Sequence, residues 1–194
     1  MQWLELPLAK QMQYASSSSW AIRIEFANYP AILPKVADFM IENEQIPKVL
    51  SEICRRIFYK SNTNIWSSTL AKAAKKKVEL CGVDQSLDPN TLKIDQTLIG
   101  IALHLNTDVD TLKYLYELND KHINWGLANN PNTPKAILTE LAKINSFDID
   151  DALLSNPNTP QEIKSMIWER YPNGFFSCGY YYDLNEIKVV ASGN

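Results

Sequence analysis

Apolar residues along the chain recur at helical spacing over most of its length. In PKAILTELA, residues 134–142, Ile137, Leu138 and Leu141 stand at i, i+1 and i+4, one face of a helix. Residues 46–60, IPKVLSEICRRIFYK, put Val49, Leu50, Ile53 and Ile57 on one stripe, which predicts an amphipathic helix opening at Pro47. Residues 65–80, IWSSTLAKAAKKKVEL, predict a second, with Lys72, Lys75, Lys76 and Lys77 mostly outward. The periodicity is lost at 82–96, GVDQSLDPNTLKIDQ, which is polar, carries Gly and Asp-Pro, and predicts a loop between two lobes. After Tyr171-Pro172-Asn173-Gly174 the pattern changes again. GYYYDLNEIKVVASGN is rich in β formers and predicts a small hairpin with its turn near residues 183–185, capping the last helix. Ser16–Ser19 is a short linker or a helix start.

The helical pattern also repeats. LANNPNTPKAILTELA at 127–142 returns as LLSNPNTPQEIKSMIW at 153–168, a shift of 26 residues. One more step back reaches Thr107 in IALHLNTDVDTLKYLYEL. Ile101, Leu127 and Leu153 then align, as do Asn106, Asn132 and Asn158, and Leu115, Leu141 and Ile167. Leu112 and Leu138 also align, and Lys164 breaks that column. Thr133 and Thr159 are placed to cap a helix, with Pro134 and Pro160 at its first position, where no N–H is needed. Thr159-Pro160-Gln161-Glu162 has the form of a capping box, and Thr107-Asp108-Val109-Asp110 approximates one. Pro131 and Pro157 push Asn130 and Asn156 out of helical geometry. Each unit is therefore a shorter element (near 122–129 and 148–155), an Asn-Pro corner, and a helix of about three turns. A divergent copy occupies 19–42, where Phe26-Ala27-Asn28-Tyr29-Pro30 matches Leu127–Pro131, and Ile22 and Ile24 match Ile123 and Trp125. Its corner has one extra residue, and Leu33 replaces the threonine.

No such unit buries its apolar stripe alone, but stacked neighbours do, which is the logic of a solenoid. The pattern A-x-N-P-x-T-P-x-x-[VIL]-L-x-x-L-A resembles the leucine-rich repeat variant family, bacterial relatives of HEAT and armadillo repeats. The match covers roughly 97–168 and, more weakly, 19–42. The resemblance implies an all-α chain of alternating short 3₁₀ and α-helices wound into a right-handed superhelix. It is nearly silent about role. Some members carry an N-terminal cysteine cluster holding an iron–sulfur centre. Cys54 and Cys81 cannot supply one, so no cofactor is carried over. The expected organisation is an N-terminal helical lobe at 1–81, a loop at 82–96, three repeats at 97–171 and a C-terminal cap at 172–194.

The composition narrows the function classes. The chain of 194 residues is 45% apolar and 21% charged, enough for a real core. Its net charge of −3 does not suggest a dedicated nucleic-acid binder. Residues 48–77 depart from that balance, with Lys48, Arg55, Arg56, Lys60, Lys72, Lys75, Lys76 and Lys77 against Glu52 alone. Three distant cysteines, Cys54, Cys81 and Cys178, make no disulfide framework and fit a reducing compartment. With His104 and His122 they form no zinc set. There is no 18-residue apolar run, and the N-terminus lacks signal-peptide form, so a cytoplasmic, bacterial protein is expected.

Candidate binding residues fall in two groups. Arg55, Arg56, Lys60, Lys72, Lys75, Lys76 and Lys77 can grip phosphates or an acidic partner, although a solvated charged face is the commoner meaning of such a run. Tyr180, Tyr181 and Tyr182, with Phe175 and Phe176, can form a binding edge, although packing as an end cap explains them more simply. Asp148, Asp150 and Asp151, with Glu140 upstream, invite acid–base or metal chemistry. Asp148 starting a short helix, with the others solvated, is the simpler account. Trp125 and Trp168 sit in positions expected to face the stack, and the asparagine columns suit corner hydrogen bonding. The expectation is a non-catalytic adaptor that binds another protein, in one version an inhibitor or immunity-type protein. Nucleic-acid binding through 48–77 is the alternative.

Overall fold

The computed structural model describes residues 6–60, 66–83, 97–172, 175–177 and 180–182. Eleven helices follow one another among them: α1 (Leu8–Ala15), α2 (Trp20–Phe26), α3 (Pro34–Asn43), α4 (Pro47–Lys60), α5 (Ser67–Cys81), α6 (Thr97–Leu103), α7 (Val109–Glu117), α8 (Lys121–Asn129), α9 (Lys135–Ala142), α10 (Phe147–Ser155) and α11 (Gln161–Arg170). Two short strands follow, β1 (Phe175–Ser177) and β2 (Tyr180–Tyr182), paired antiparallel with Phe176 opposite Tyr181. The body of the chain is thus all-α. The expected loop at 82–96 lies almost wholly outside the described residues, as does the hairpin turn expected at 183–185.

Each predicted unit is present as a helix pair: α2/α3, α6/α7, α8/α9 and α10/α11. The elements expected to be short 3₁₀ turns are α-helical and not clearly shorter, since α8 runs nine residues against eight in α9. α8 and α10 run nine residues each, long enough for i→i+4 bonding to close. The repeat columns Ile101/Leu127/Leu153 and Leu115/Leu141/Ile167 are fully buried, and the stripe Val49, Leu50, Ile53 and Ile57 of α4 is buried. The even-numbered helices α2, α4, α6, α8 and α10 contact one another in succession. So do α1, α3, α5 and α7, and α9 contacts α11. The helices on either side of 82–96 pack directly, α6 against both α4 and α5, and α5 against α7.

The Asn-Pro corner is built differently from the sequence expectation. Thr133 does not cap α9. The N-cap position belongs to Pro134, with extended backbone, so the threonine stands one residue too early to reach the first free amides. Its hydroxyl donates back to Leu127 O at 2.7 Å, and Thr107 does the same to Ile101 O at 2.6 Å. Pro131 has no N–H to offer Leu127 O, which instead accepts the Asn130 N–H at 3.1 Å and the threonine hydroxyl as a second donor. Thr159 forms no capping box, and its buried hydroxyl has no hydrogen-bond partner. Among the described residues the side-chain caps that form are aspartates. Asp108 accepts from Thr111 N at 2.7 Å, and Asp120 accepts from His122 N and Ile123 N.

Asn130 and Asn156 carry the link between units. Asn130 Nδ2 donates to Ala102 O at 2.7 Å and His104 O at 3.0 Å. Asn156 Nδ2 repeats this on Ala128 O and Asn130 O at the same distances, 2.7 and 3.0 Å. Each amide oxygen accepts from the backbone N–H two residues on, Asn132 N and Asn158 N, both at 2.8 Å. The exposed column joins in, with Asn132 Nδ2 donating to Leu105 O and Asn158 Nδ2 to Pro131 O. At the opposite edge Asn119 and Asn145, again 26 apart, take the left-handed conformation with φ of 53° and 56°. That ends α7 and α9 in the manner asparagine tolerates.

The N-terminal copy holds its longer corner by other means. Buried Gln11 donates to Leu6 O and Ala31 O and accepts from Leu33 N. Tyr29, in the register of Asn130, accepts from Leu6 N through its hydroxyl at 2.7 Å. Ile22 is exposed whereas Ile123 is buried, so the correspondence holds at the corner and not at the helix start. At the other end Asp150 corrects the expectation of a solvated carboxylate. It is fully buried, and Arg170 Nη1 donates to both its oxygens at 2.9 and 3.0 Å. Tyr171 Oη donates to it at 2.9 Å, and Arg170 Nη2 donates to Ala142 O. The carboxylate is removed from water but fully partnered, which makes its burial sustainable.

Candidate functional site

The basic run is tied down by carboxylates. On α4, Glu52 accepts from Arg55 Nε and Nη2 at 2.9 and 2.6 Å, and from Arg56 Nε at 2.6 Å. These bonds, Arg55's first, hold the Glu52 carboxyl down at about 2. Lys72 on α5 reaches across to α3, 2.6 Å from Asp38 and 2.8 Å from Glu42, and the bond to Asp38 is the main cause of its raised pKa. Lys76 lies 3.8 Å from Glu79. Lys77 corrects the expectation of an outward lysine. It is only 4% exposed, on the face of α5 that also buries Ala73 and Ala74 and packs on α4. Its Nζ donates to Ser51 Oγ at 3.1 Å and Cys81 Sγ at 3.2 Å. Among the described residues of this run, Lys48 and Lys75 are exposed and form no ion pair. The side chain of Lys60 lies outside the described residues.

The tyrosines Tyr180, Tyr181 and Tyr182 form β2, their backbone paired with β1, while their side chains lie outside the described residues, as does Cys178. Among the described residues no three His, Cys, Asp or Glu side chains are grouped to hold a metal. His104 is drawn into a corner, with Nδ1 accepting from Asn106 N at 3.1 Å and burial lowering its pKa. Lys164, at the core column of Leu112 and Leu138, is half-buried, and its pKa is lowered by desolvation.

The surface that sequence reasoning missed lies on the even-numbered helices. Trp125, expected in the core, is 39% exposed. On α8 the buried residues are Ile123, Asn124, Gly126, Leu127 and Ala128, leaving Lys121, Trp125 and the half-buried Asn129 along one solvent stripe. On α10 the matching positions are the exposed Phe147 and Ser155 with the half-buried Asp151 between them, and on α6 they are the half-buried Ile99 and Leu103. Phe147 stands 40% exposed, with its ring edge-to-face with Tyr171 at 5.8 Å. The signal was present in the column 99, 125, 151, which reads Ile, Trp, Asp. Two adjacent helices thus expose one large aromatic each, Trp125 on α8 and Phe147 on α10, beside the exposed Lys121 and Asp148, a composition suited to anchoring a macromolecule.

Comparison with protein-family models, with curated proteins and with solved structures found no match. Among the described residues no helix is long and apolar enough to cross a membrane.

Proposed function

We propose that the chain is a non-catalytic binding scaffold, a cytoplasmic helical-repeat protein that holds another protein on the face of α8 and α10 that exposes Trp125 and Phe147. The observation that carries this reading is Trp125, a large aromatic left in solvent at the middle of three helices that pack in succession. Tryptophan at the centre of a contact surface is the residue type most often found to dominate binding. The succession of contacts within the even and odd rows, and the Asn130 and Asn156 bonds from unit to unit, support a solenoid related to the leucine-rich repeat variant. In that architecture the β1–β2 pair caps the last helix. A small chain of net charge −3 suits an inhibitor or immunity-type protein that occludes its target. The ion pairs within 48–77 favour this reading over nucleic-acid binding, because most of its described cations already serve carboxylates.

The test is a tagged pull-down from the native host, with half the sample nuclease-treated, run in parallel with Trp125→Ala. The expected result is a stoichiometric protein that survives nuclease and is lost from the variant while helical content is unchanged. Loss of such an anchor costs about 2 kcal/mol or more of binding. Recovery of nucleic acid, abolished by nuclease and by high salt, would move the function to the basic segment. A partner retained at full strength by Trp125→Ala would place the contact on another face.

A further inference from the structure

We propose that Lys77 and Cys81 are a built-in oxidative cross-link site, forming a nitrogen–sulfur bond when the protein meets hydrogen peroxide. The two residues lie one helical turn apart on α5, at i and i+4, where side chains meet. Lys77 Nζ is 3.2 Å from Cys81 Sγ, within the separation of about 3–3.5 Å at which bound groups react. The lysine is held there from the other side. Its Nζ also donates to Ser51 Oγ on α4 at 3.1 Å, and only 4% of the residue meets solvent. Cys81, the last residue of α5, is half-buried, which leaves it more open to a small oxidant than Cys54, which is completely buried.

The chemistry balances in two steps. Sγ attacks one oxygen of hydrogen peroxide. The S–O bond forms as the O–O bond breaks, sulfur is oxidised by two electrons, and the thiol proton leaves with the second oxygen as water. The product is a sulfenic acid. Lys77, having released one proton to solvent, then attacks Sγ through its amine lone pair. The N–S bond forms, the S–O bond breaks, and the hydroxyl leaves with an amine proton as a second water. The same condensation is known for sulfenic acids with other nitrogen nucleophiles. Because the amine is already in place, it competes with a second peroxide at high effective concentration, which protects Cys81 from irreversible over-oxidation. A dithiol reverses the link by attacking sulfur and returning the amine its proton.

Peroxide-treated full-length protein, digested and weighed by mass spectrometry, tests this directly. The peptide beginning at Lys77 and containing Cys81 is expected to lack two hydrogens, to regain them with dithiothreitol, and to resist dimedone. Lys77→Arg, which keeps a cation but offers no attacking amine, is expected to leave Cys81 as a dimedone-reactive sulfenic acid. Cys81→Ser is expected to show no mass change. The proposal is overturned if wild-type Cys81 accumulates as sulfinic acid or as the dimedone adduct. It is equally overturned if Cys81 stays reduced. Both readouts come from the wild-type chain, so they stand even if Lys77→Arg fails to fold.

Discussion

At the scale of single residues, the link between units is a column of three positions, His104, Asn130 and Asn156. In each, a side-chain atom accepts from the backbone N–H two residues on. His104 stands in for asparagine by presenting an unprotonated Nδ1. Protonating that nitrogen would set two donors face to face. Burial holds the His104 pKa below its usual 6.5, so the folded chain binds fewer protons than the unfolded chain in the window just below that value. Stability must then rise with pH across the window and fall as pH drops through it. His104→Asn is expected to keep the corner bond and remove this slope. Urea midpoints of the two proteins, measured on either side of 6.5 and well above 4.5, the ordinary value of the Glu52 carboxyl, check the prediction. Equal slopes in wild type and variant would dismiss His104 as the source. The sequence showed the neighbouring column, Asn106, Asn132 and Asn158, but not this one. Asn130 and Asn156 were explained locally by the following prolines, while their amide partners lie 26 and 28 residues away.

At the scale of helices, periodicity located the elements well, because each buries one stripe. α8 and α10 begin within a residue of the expected positions, and the core columns of the three C-terminal units are nearly all buried. What the pattern did not reveal is how closely α6 and α8 approach. Gly126 lies on the buried side of α8, where a Cβ would come 2.9 Å from Ala102 Cβ and 3.3 Å from Ile99 O. In an open helix, Gly→Ala stabilises by roughly 1 kcal/mol. Here the added methyl must push α6 away, and overpacking a close contact costs about 1–3 kcal/mol. Gly126→Ala is therefore expected to lower the thermal midpoint. Ala102→Gly in the same chain should recover part of the loss, giving a coupling term between the two sites. A higher midpoint for Gly126→Ala alone would show that α6 and α8 are not held this close.

At the scale of the whole molecule, every substantial helix–helix contact among the described residues joins helices one or two places apart in the chain. Stability in such an arrangement passes from neighbour to neighbour, and its ends decide where opening starts. The last helix pair, α10 and α11, is held together by charge. The column Leu98, Asn124, Asp150 grows more polar towards the end, and Lys164 replaces the leucines of its own column. Sequence reasoning took Asp150 as solvated because its partners, Arg170 and Tyr171, stand twenty residues on, past an Asn-Pro corner. Removing one member of a buried ion pair strands the other, at a cost of about 3–5 kcal/mol. Asp150→Asn keeps the shape but not the charge, and leaves Arg170 without its carboxylate between α10 and Ala142 O. Hydrogen exchange of the variant is expected to show lost protection in α10 and α11, less in α9, and unchanged protection in α2 to α5. Even loss of protection along all the helices would mean that the chain opens as one cooperative block, in which case its neighbour-to-neighbour contacts do not govern its unfolding.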